Sequence, residues 1–276
     1  MRSSFSARHA FRFLAVTAAT MISLTAPAAL AQDVDKIIAD KGCEDCDLRL
    51  RELRHLEIES ANFTDAVLRE ADMKEAILPN SSFRNADLRR TELERANLSG
   101  SDFYKGAMRG IDMEKANISG AKFQRADLRN SDLNDSNMEG ADFTKADLRD
   151  ASLIRVKGAN SIFANAKMDI VDLERSDLRG ADFSNARLKY SDLDRVDASG
   201  ASFEGADLTG VRFSSANLSG ANLKGADLSS ALLRHTRLND VDLTAAKGLD
   251  PERVIGACGN ENTKVPYGVE LKTCAE

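Results

Sequence analysis

Residues 176–195 read SDLRG-ADFSN-ARLKY-SDLDR, with an apolar residue at every fifth position: Leu178, Phe183, Leu188 and Leu193. A helix buries residues with a period near 3.6 and a strand with a period of 2. A period of five suits neither. Followed outward in both directions, the same frame runs from Cys46 to Ala245 as 40 five-residue units in 200 residues, without insertion or deletion. The central residue of each unit, position i, is Leu, Phe, Met or Ile in 38 of the 40, with Gly158 and Ala198 as exceptions. Position i−2 is Ala in 21 units and Ser in seven, and position i−1 is Asp or Asn in 23. Positions i and i−2 therefore point inward, and i−1, i+1 and i+2 face water.

A second period sets the cross-section. Phe63, Phe83, Phe103, Phe123, Phe143, Phe163, Phe183 and Phe203 stand 20 residues apart. Four units per coil stack Phe on Phe along one face, whereas three units would scatter the rings. The chain is thus read as an all-β solenoid of four-sided coils, each side a very short strand paired with the coils above and below. At the strand-pairing distance of about 4.8 Å, ten coils make a rod of about 48 Å. Four bulky i residues per layer leave little room, hence Ala or Ser at i−2. On the side before the Phe side, position i+2 reads Asn80, Gly100, Gly120, Gly140, Asn160, Gly180, Gly200 and Gly220. These residues tolerate positive φ, which predicts type II turns at that corner and type I or irregular turns at the others.

The uninterrupted A(D/N)LXX pattern of residues 46–245 resembles the pentapeptide repeat family. The resemblance implies a right-handed quadrilateral β-helix. The best-understood members of that family mimic DNA and protect or inhibit DNA gyrase in the cytosol, and the resemblance carries that reading as an alternative function.

The flanks divide the chain further. Residues 1–31 read as a secretory signal peptide: Arg2, Arg8 and Arg12 lead an apolar stretch from Phe13 to Leu30 that ends in Ala29-Leu30-Ala31, a cleavage site after Ala31. The stretch is broken by Thr17, Thr20, Ser23, Thr25 and Pro27, so no stable membrane span is expected after cleavage. Export through the general secretory route places the protein in the periplasm or outside the cell. Residues 32–45 form an N-terminal cap, with Val34, Ile37 and Ile38 on one helical face. Residues 246–276 close the other end, with a capping helix over 251–258 that starts at Asp250-Pro251, then an irregular tail.

The four cysteines sit at the ends, Cys43 and Cys46 at one and Cys258 and Cys274 at the other. The rod keeps the pairs tens of ångströms apart, and a disulfide needs Cα atoms within about 7 Å. Only Cys43–Cys46 with Cys258–Cys274 satisfies that limit, and a zinc site using all four is excluded. C-x-x-C also occurs in redox proteins, but here it lacks a thioredoxin-like βαβ context. Redox chemistry at Cys43 and Cys46 is a further alternative.

Other chemistry is sparse. Seventeen Asp stand at i−1, where short acidic side chains satisfy backbone groups near turns. His55 and His235 lie at opposite ends of the rod, and no nucleophile–base arrangement assembles around either. No enzyme activity, cofactor or metal is expected. Removing residues 1–31 takes the net charge from −6 to −9, because three Arg and no acid are lost; that balance argues against nucleic acid as a partner.

One surface exceeds what the repeat requires. On the side after the Phe side, position i+1 reads Arg49, Arg69, Arg89, Arg109, Arg129 and Arg149. Lys105, Arg125 and Lys145 lie across the adjoining corner. Like charges stacked at coil spacing repel by about 1 kcal/mol per pair in water, and Asp47, Asp87, Asp127 and Asp147 stand on the same side to offset this. The column is read either as a neutralised solvated face or as a contact surface for an unidentified protein or an anionic envelope polymer. The next side carries acids at i−1: Glu52, Asp72, Glu92, Asp112, Asp132, Asp172 and Asp192. The coil 151–170, with outward Ile154, Ile162 and Ile170 and an inward Gly158, is expected to be distorted or bulged, its three Ile on three different sides. The sequence leaves the oligomeric state open.

Overall fold

The computed structural model describes residues 34–275; the expected signal peptide lies outside the described residues. The chain winds as a right-handed quadrilateral β-helix. The i−1 residues of successive coils pair in parallel at a 20-residue step, from Gly42–Asn62 through Asn217–Arg237 to Asp227–Lys247.

The five-residue unit follows from where the backbone donors go. The Leu48 N–H donates to the Val67 carbonyl at 2.7 Å, the Val67 N–H returns to the Cys46 carbonyl at 2.8 Å, and the Leu50 N–H reaches the Arg69 carbonyl at 3.0 Å. Positions i, i−1 and i+2 are thereby paired between coils. The i−2 N–H closes the corner, as Ala66 does onto the Phe63 carbonyl at 3.2 Å. The i+1 N–H has no backbone acceptor, and the Asx side chain at i−1 supplies one: Asn62 Oδ1 accepts from Thr64 at 3.1 Å and Asp142 Oδ1 from Thr144 at 2.8 Å. That is the physical origin of Asp and Asn at i−1.

Serine at i−2 does more than fit a narrow interior. Ser101 Oγ accepts the Ser81 N–H at 3.0 Å and donates to the Leu78 carbonyl at 2.9 Å, entering the corner of the preceding coil. Ser176 and Ser191 repeat this with Val156 and Leu153 and with Val171 and Met168. A buried hydroxyl needs such partners.

The corners differ from the expectation. Every i+2 residue from Leu50 to Asp240 has positive φ, including Lys105, Arg125, Ile170 and Tyr190, while the i+1 residues do not. All four corners therefore carry the type II signature, not one corner alone. All four sides bury the same two positions of the same unit, so they share one backbone. Non-glycine residues accept the left-handed conformation at a cost of about 1–2 kcal/mol each.

Inside, the eight Phe form one column with centroids 4.7–5.2 Å apart and planes within 15° of parallel. Phe213 meets the last ring edge-on. The coil 151–170 is neither bulged nor distorted: its bridges to the coils before and after keep register. Gly158 leaves no void, since Leu178, Met138 and Ser161 close over it to within 3.0–3.4 Å of where a Cβ would stand.

The ends also differ in part. Residues 34–39 are helical, with Ile37 buried but Ile38 46% exposed, so Ile38 is not on the packed face. Coil stacking begins at Gly42, ahead of Cys46. A Cβ at Gly42 would collide with the Asn62 backbone at 2.3 Å, so glycine is required for that first close approach. At the far end the expected helix over 251–258 is a single 3-10 turn, Pro251–Arg253, with Asp250 Oδ1 accepting the Glu252 N–H at 2.9 Å. Stacking continues past 245 instead, through Leu233 to Arg253 and Leu238 to Cys258, with Val254 and Ala257 buried on the core. The tail is not wholly irregular: strands β1 (Cys258–Gly259) and β2 (Lys272–Thr273) pair in parallel. The stacked backbone leaves unpaired groups at the rod's end, and the partial further coil and the short β1–β2 pair extend the pairing over them.

Candidate functional site

The D-L-R triplet builds one local structure wherever it occurs. With Asp at i−1 and Arg at i+1, both side chains leave the same side of the coil. Arg89 donates from Nε to Asp87 Oδ1 at 2.7 Å and from Nη2 to Oδ2 at 2.6 Å. Arg129 with Asp127, Arg149 with Asp147 and Arg49 with Asp47 form the same fork. On another side, Arg179 and Asp177 repeat it. Two parallel charge-assisted bonds are the strongest geometry open to this pair.

The forks shift the carboxylates. Hydrogen bonds from Arg49 hold Asp47 down to about 2. Those of Arg89 and then Arg69 outweigh burial and hold Asp87 lower still. Asp127 is lowered chiefly by Arg129. Burial pushes Asp147 upward, but the bonds from Arg149 more than reverse it.

The fork fails at two coils, where Val67 and Ala107 stand at i−1. Arg69 compensates by reaching the next coil, donating from Nη2 to Asp87 Oδ2 at 2.7 Å. Its Nε stays buried without a partner. Arg109 is exposed, and among the described residues no carboxylate lies within ion-pair distance of it. Between these coils Arg69, Arg89, Arg90, Arg109, Gly110 and Asn130 line a hollow of about 360 Å³. Arg90 is engaged by Glu70 and Asp87 by both Arg69 and Arg89, so across three successive coils this face carries three guanidiniums, Arg69, Arg89 and Arg109, and Asp87 as its one i−1 carboxylate.

Lys105, Arg125 and Lys145 project from the adjoining corner, all exposed. Among the described residues none of the three forms an ion pair; Lys105 lies 5.3 Å from the centre of the Tyr104 ring, which Arg84 also covers at 4.5 Å. The opposite sign gathers on the neighbouring side. Burial and then Glu94 and Asp132 raise Asp112 above the ordinary carboxylate range, against the Glu114 N–H that its carboxylate accepts. His55 and His235 are exposed at opposite ends.

Each cysteine pair is held at bonding distance, with Cα atoms 5.7 Å apart for Cys43–Cys46 and 4.8 Å for Cys258–Cys274. The first pair borders a hollow of about 490 Å³ with Lys36, Asp40, Glu44, Asp47 and Arg51. Among the described residues no group of His, Cys, Asp and Glu is arranged to hold a metal ion, and no helix is long and apolar enough to cross a membrane.

Three features escape a residue-by-residue reading. Cross-coil pairs such as Arg54–Asp72, Arg84–Asp102 and Arg155–Asp135 follow offsets of 18 or 20 residues, which only the four-sided superperiod makes visible. The gap at Ala107 is legible as a missing Asp in the column Asp87, Asp127, Asp147. Ile170 and Tyr190, 60% and 67% exposed, share one corner column in successive coils, and the Tyr190 ring lies over Gly210. Of the three outward Ile residues only Ile170 stands in this column; Ile154 and Ile162 are half-buried on other sides.

Two family models match the chain. One, pentapeptide repeats (8 copies), matches residues 121–157, 136–175, 176–214 and 212–247; the other, pentapeptide repeat region, matches residues 56–133. No curated protein matches the chain in sequence. Among solved structures, HetL, a pentapeptide repeat protein involved in heterocyst differentiation regulation from the cyanobacterium Nostoc sp. strain PCC 7120, is 25% identical. That match covers 86% of this chain and 97% of HetL, with a TM-score of 0.48. Full-length QnrB1, a plasmid-mediated fluoroquinolone resistance protein, is 21% identical over 78% of this chain and 92% of its own, with a TM-score of 0.30. A pentapeptide repeat protein from the Arabidopsis thaliana thylakoid lumen is 33% identical over 39% of this chain and 71% of its own, with a TM-score of 0.30.

Proposed function

The chain belongs to the pentapeptide repeat family, and from that premise we propose that it is an exported, non-enzymatic interaction rod whose Arg49–Arg149 face meets an anionic partner in the cell envelope. Residues 1–31 direct the export, with cleavage after Ala31. The observation that carries the contact surface is the surplus of guanidinium over carboxylate on that face, greatest where Val67 and Ala107 replace Asp. A rod with fixed side-chain spacing presents its charges without the ordering cost that a flexible basic segment bears on binding. A nucleic-acid mimic would present acid around its whole girth, whereas here a basic face adjoins an acidic one.

The test is binding of the purified protein to separated envelope fractions (lipid and lipopolysaccharide, cell wall, soluble periplasmic protein) over a salt series. A variant carrying Arg89→Glu, Arg109→Glu and Arg129→Glu is the control. Salt-sensitive binding to one fraction, lost in the variant, is the expected result. Equal behaviour of the two proteins would reduce the face to a solvated surface.

A further inference from the structure

The fork between Asp127 and Arg129 shows what this face holds when it is complete: a planar carboxylate seated on Nε and Nη2 at 2.7 and 2.6 Å. The same seat recurs at Asp47, Asp87 and Asp147. In the coil of Arg109 the chain offers Ala107 instead, and the fork of Arg109 is empty of partners among the described residues. The neighbouring carboxylates are already committed, Asp87 to Arg89 and Arg69 and Asp127 to Arg129. Gly110, without a side chain at the corner, keeps the hollow beside Arg109 open. Arg69, whose Nε is buried without a partner, lines the same hollow. Lys105, over the Tyr104 ring and without an ion pair among the described residues, stands at the other corner of the same coil.

We propose that this hollow takes one carboxylate of a partner protein, an Asp or Glu side chain, seated on Arg109 in the two-bond fork that the chain forms internally in its other coils. The proposal rests on the reading of this face as a contact surface and specifies its central contact. A planar carboxylate is the ligand class because the fork spacing is already matched to one four times on this face. The acidic column beyond the Gly110 corner, with Glu92, Asp112 and Asp132, repels the same ligand, so the partner's segment approaches from the Lys105 side.

The decisive variant is Ala107→Asp. It restores the missing internal carboxylate and fits a backbone that already carries Asp at 47, 87, 127 and 147, so it fills the seat while leaving every cation in place. The probe is a fluorescein-labelled oligoglutamate peptide, followed by anisotropy against the purified protein at low and moderate salt. Binding by the unaltered protein should weaken at least about tenfold in Ala107→Asp and in Arg109→Gln, as expected for loss of a charge-assisted fork. Arg179→Gln, which removes a cation from a different side, should leave it within about twofold. Circular dichroism melting checks each fold, and Arg109→Gln carries the test should Ala107→Asp melt early.

No binding of the peptide by the unaltered protein would overturn the proposal. If Ala107→Asp and Arg109→Gln bind as the unaltered protein does but the triple Glu variant does not, the face is a contact surface without this seat, and the inference alone fails. If the triple Glu variant also binds normally, the reading of the face fails with it. Inorganic phosphate displacing the peptide far better than acetate at matched ionic strength would assign the seat to phosphate and overturn the carboxylate.

Discussion

Replacing Phe123 with Ala tests the stacked core in its most demanding place. The side chain is fully buried, and its ring lies between those of Phe103 and Phe143 at 4.8 and 4.7 Å, within 3° of parallel. Removing a buried Phe side chain costs about 3–5 kcal/mol, the sum of lost transfer energy and a cavity that neighbours close incompletely. The rigid 20-residue register prevents the coils from collapsing into the gap, which favours the upper part of that range, about 4–5 kcal/mol. Phe63 is equally buried but has one ring neighbour in the column, Phe83 at 5.2 Å. Phe63→Ala should therefore cost about 1 kcal/mol less, the worth of one aromatic pair beyond its burial. Phe123→Leu keeps most of the volume and should cost about 1.5 kcal/mol or less. The chain has no Trp, so urea denaturation is best followed by circular dichroism. A loss below about 1.5 kcal/mol for Phe123→Ala, or an equal loss at Phe63, would refute the continuous ring column as the source of core stability.

The Asp47, Asp87, Asp127 and Asp147 carboxylates titrate below their ordinary range in the folded chain. A depressed folded value contributes stability above the unfolded value of about 4 and loses it as pH falls through the folded one. The urea midpoint should therefore drop between about pH 4 and pH 2, and Asp87→Asn should flatten that drop. Asp112 has the opposite sign, so Asp112→Asn should raise the midpoint at pH 7 and change little in acid. Ser101→Ala removes the hydroxyl between Ser81 and Leu78 and should cost about 1 kcal/mol; Ser136→Ala, whose Oγ is buried without a partner, should be neutral or stabilising in the same assay. Ile170 is a β-branched residue at φ 60, so Ile170→Asn should stabilise by about 1 kcal/mol, and a loss would mean that the apolar packing of its side chain outweighs the backbone strain.

The sequence made the four-sided coil legible because its period is absolute. Phe63 to Phe203 at a spacing of 20 admits one stacking, and the absence of insertions lets it run the length of the rod. The corners were harder to read. Glycine and Asn marked one corner, but Lys105 or Tyr190 at i+2 gives no local sign of positive φ; identical burial on every side imposes it. Gly158 suggested a defect because a single unit shows an absent side chain and not the Leu178 and Met138 that close over it. The end beyond Ala245 lost its frame through extra residues, so Val254 and Ala257 read as a helix although they pack as further coil. At the candidate site the Arg column was plain in the sequence, and its neutralisation by Asp at i−1 followed from the spacing. The empty place at Ala107 became meaningful only with the two-bond forks on either side as a template.

The contact face is tested most directly inside the cell, with a photo-crosslinking amino acid placed at Asn130, on the rim of the Arg109 hollow, or at Ser119, on the opposite side of the rod. A covalent adduct from position 130 in the envelope, absent from position 119 and lost when Ala107→Asp is added, is the predicted result. Adducts of equal yield from both positions, or an adduct at 130 unaffected by Ala107→Asp, would contradict a partner seated on this face through Arg109.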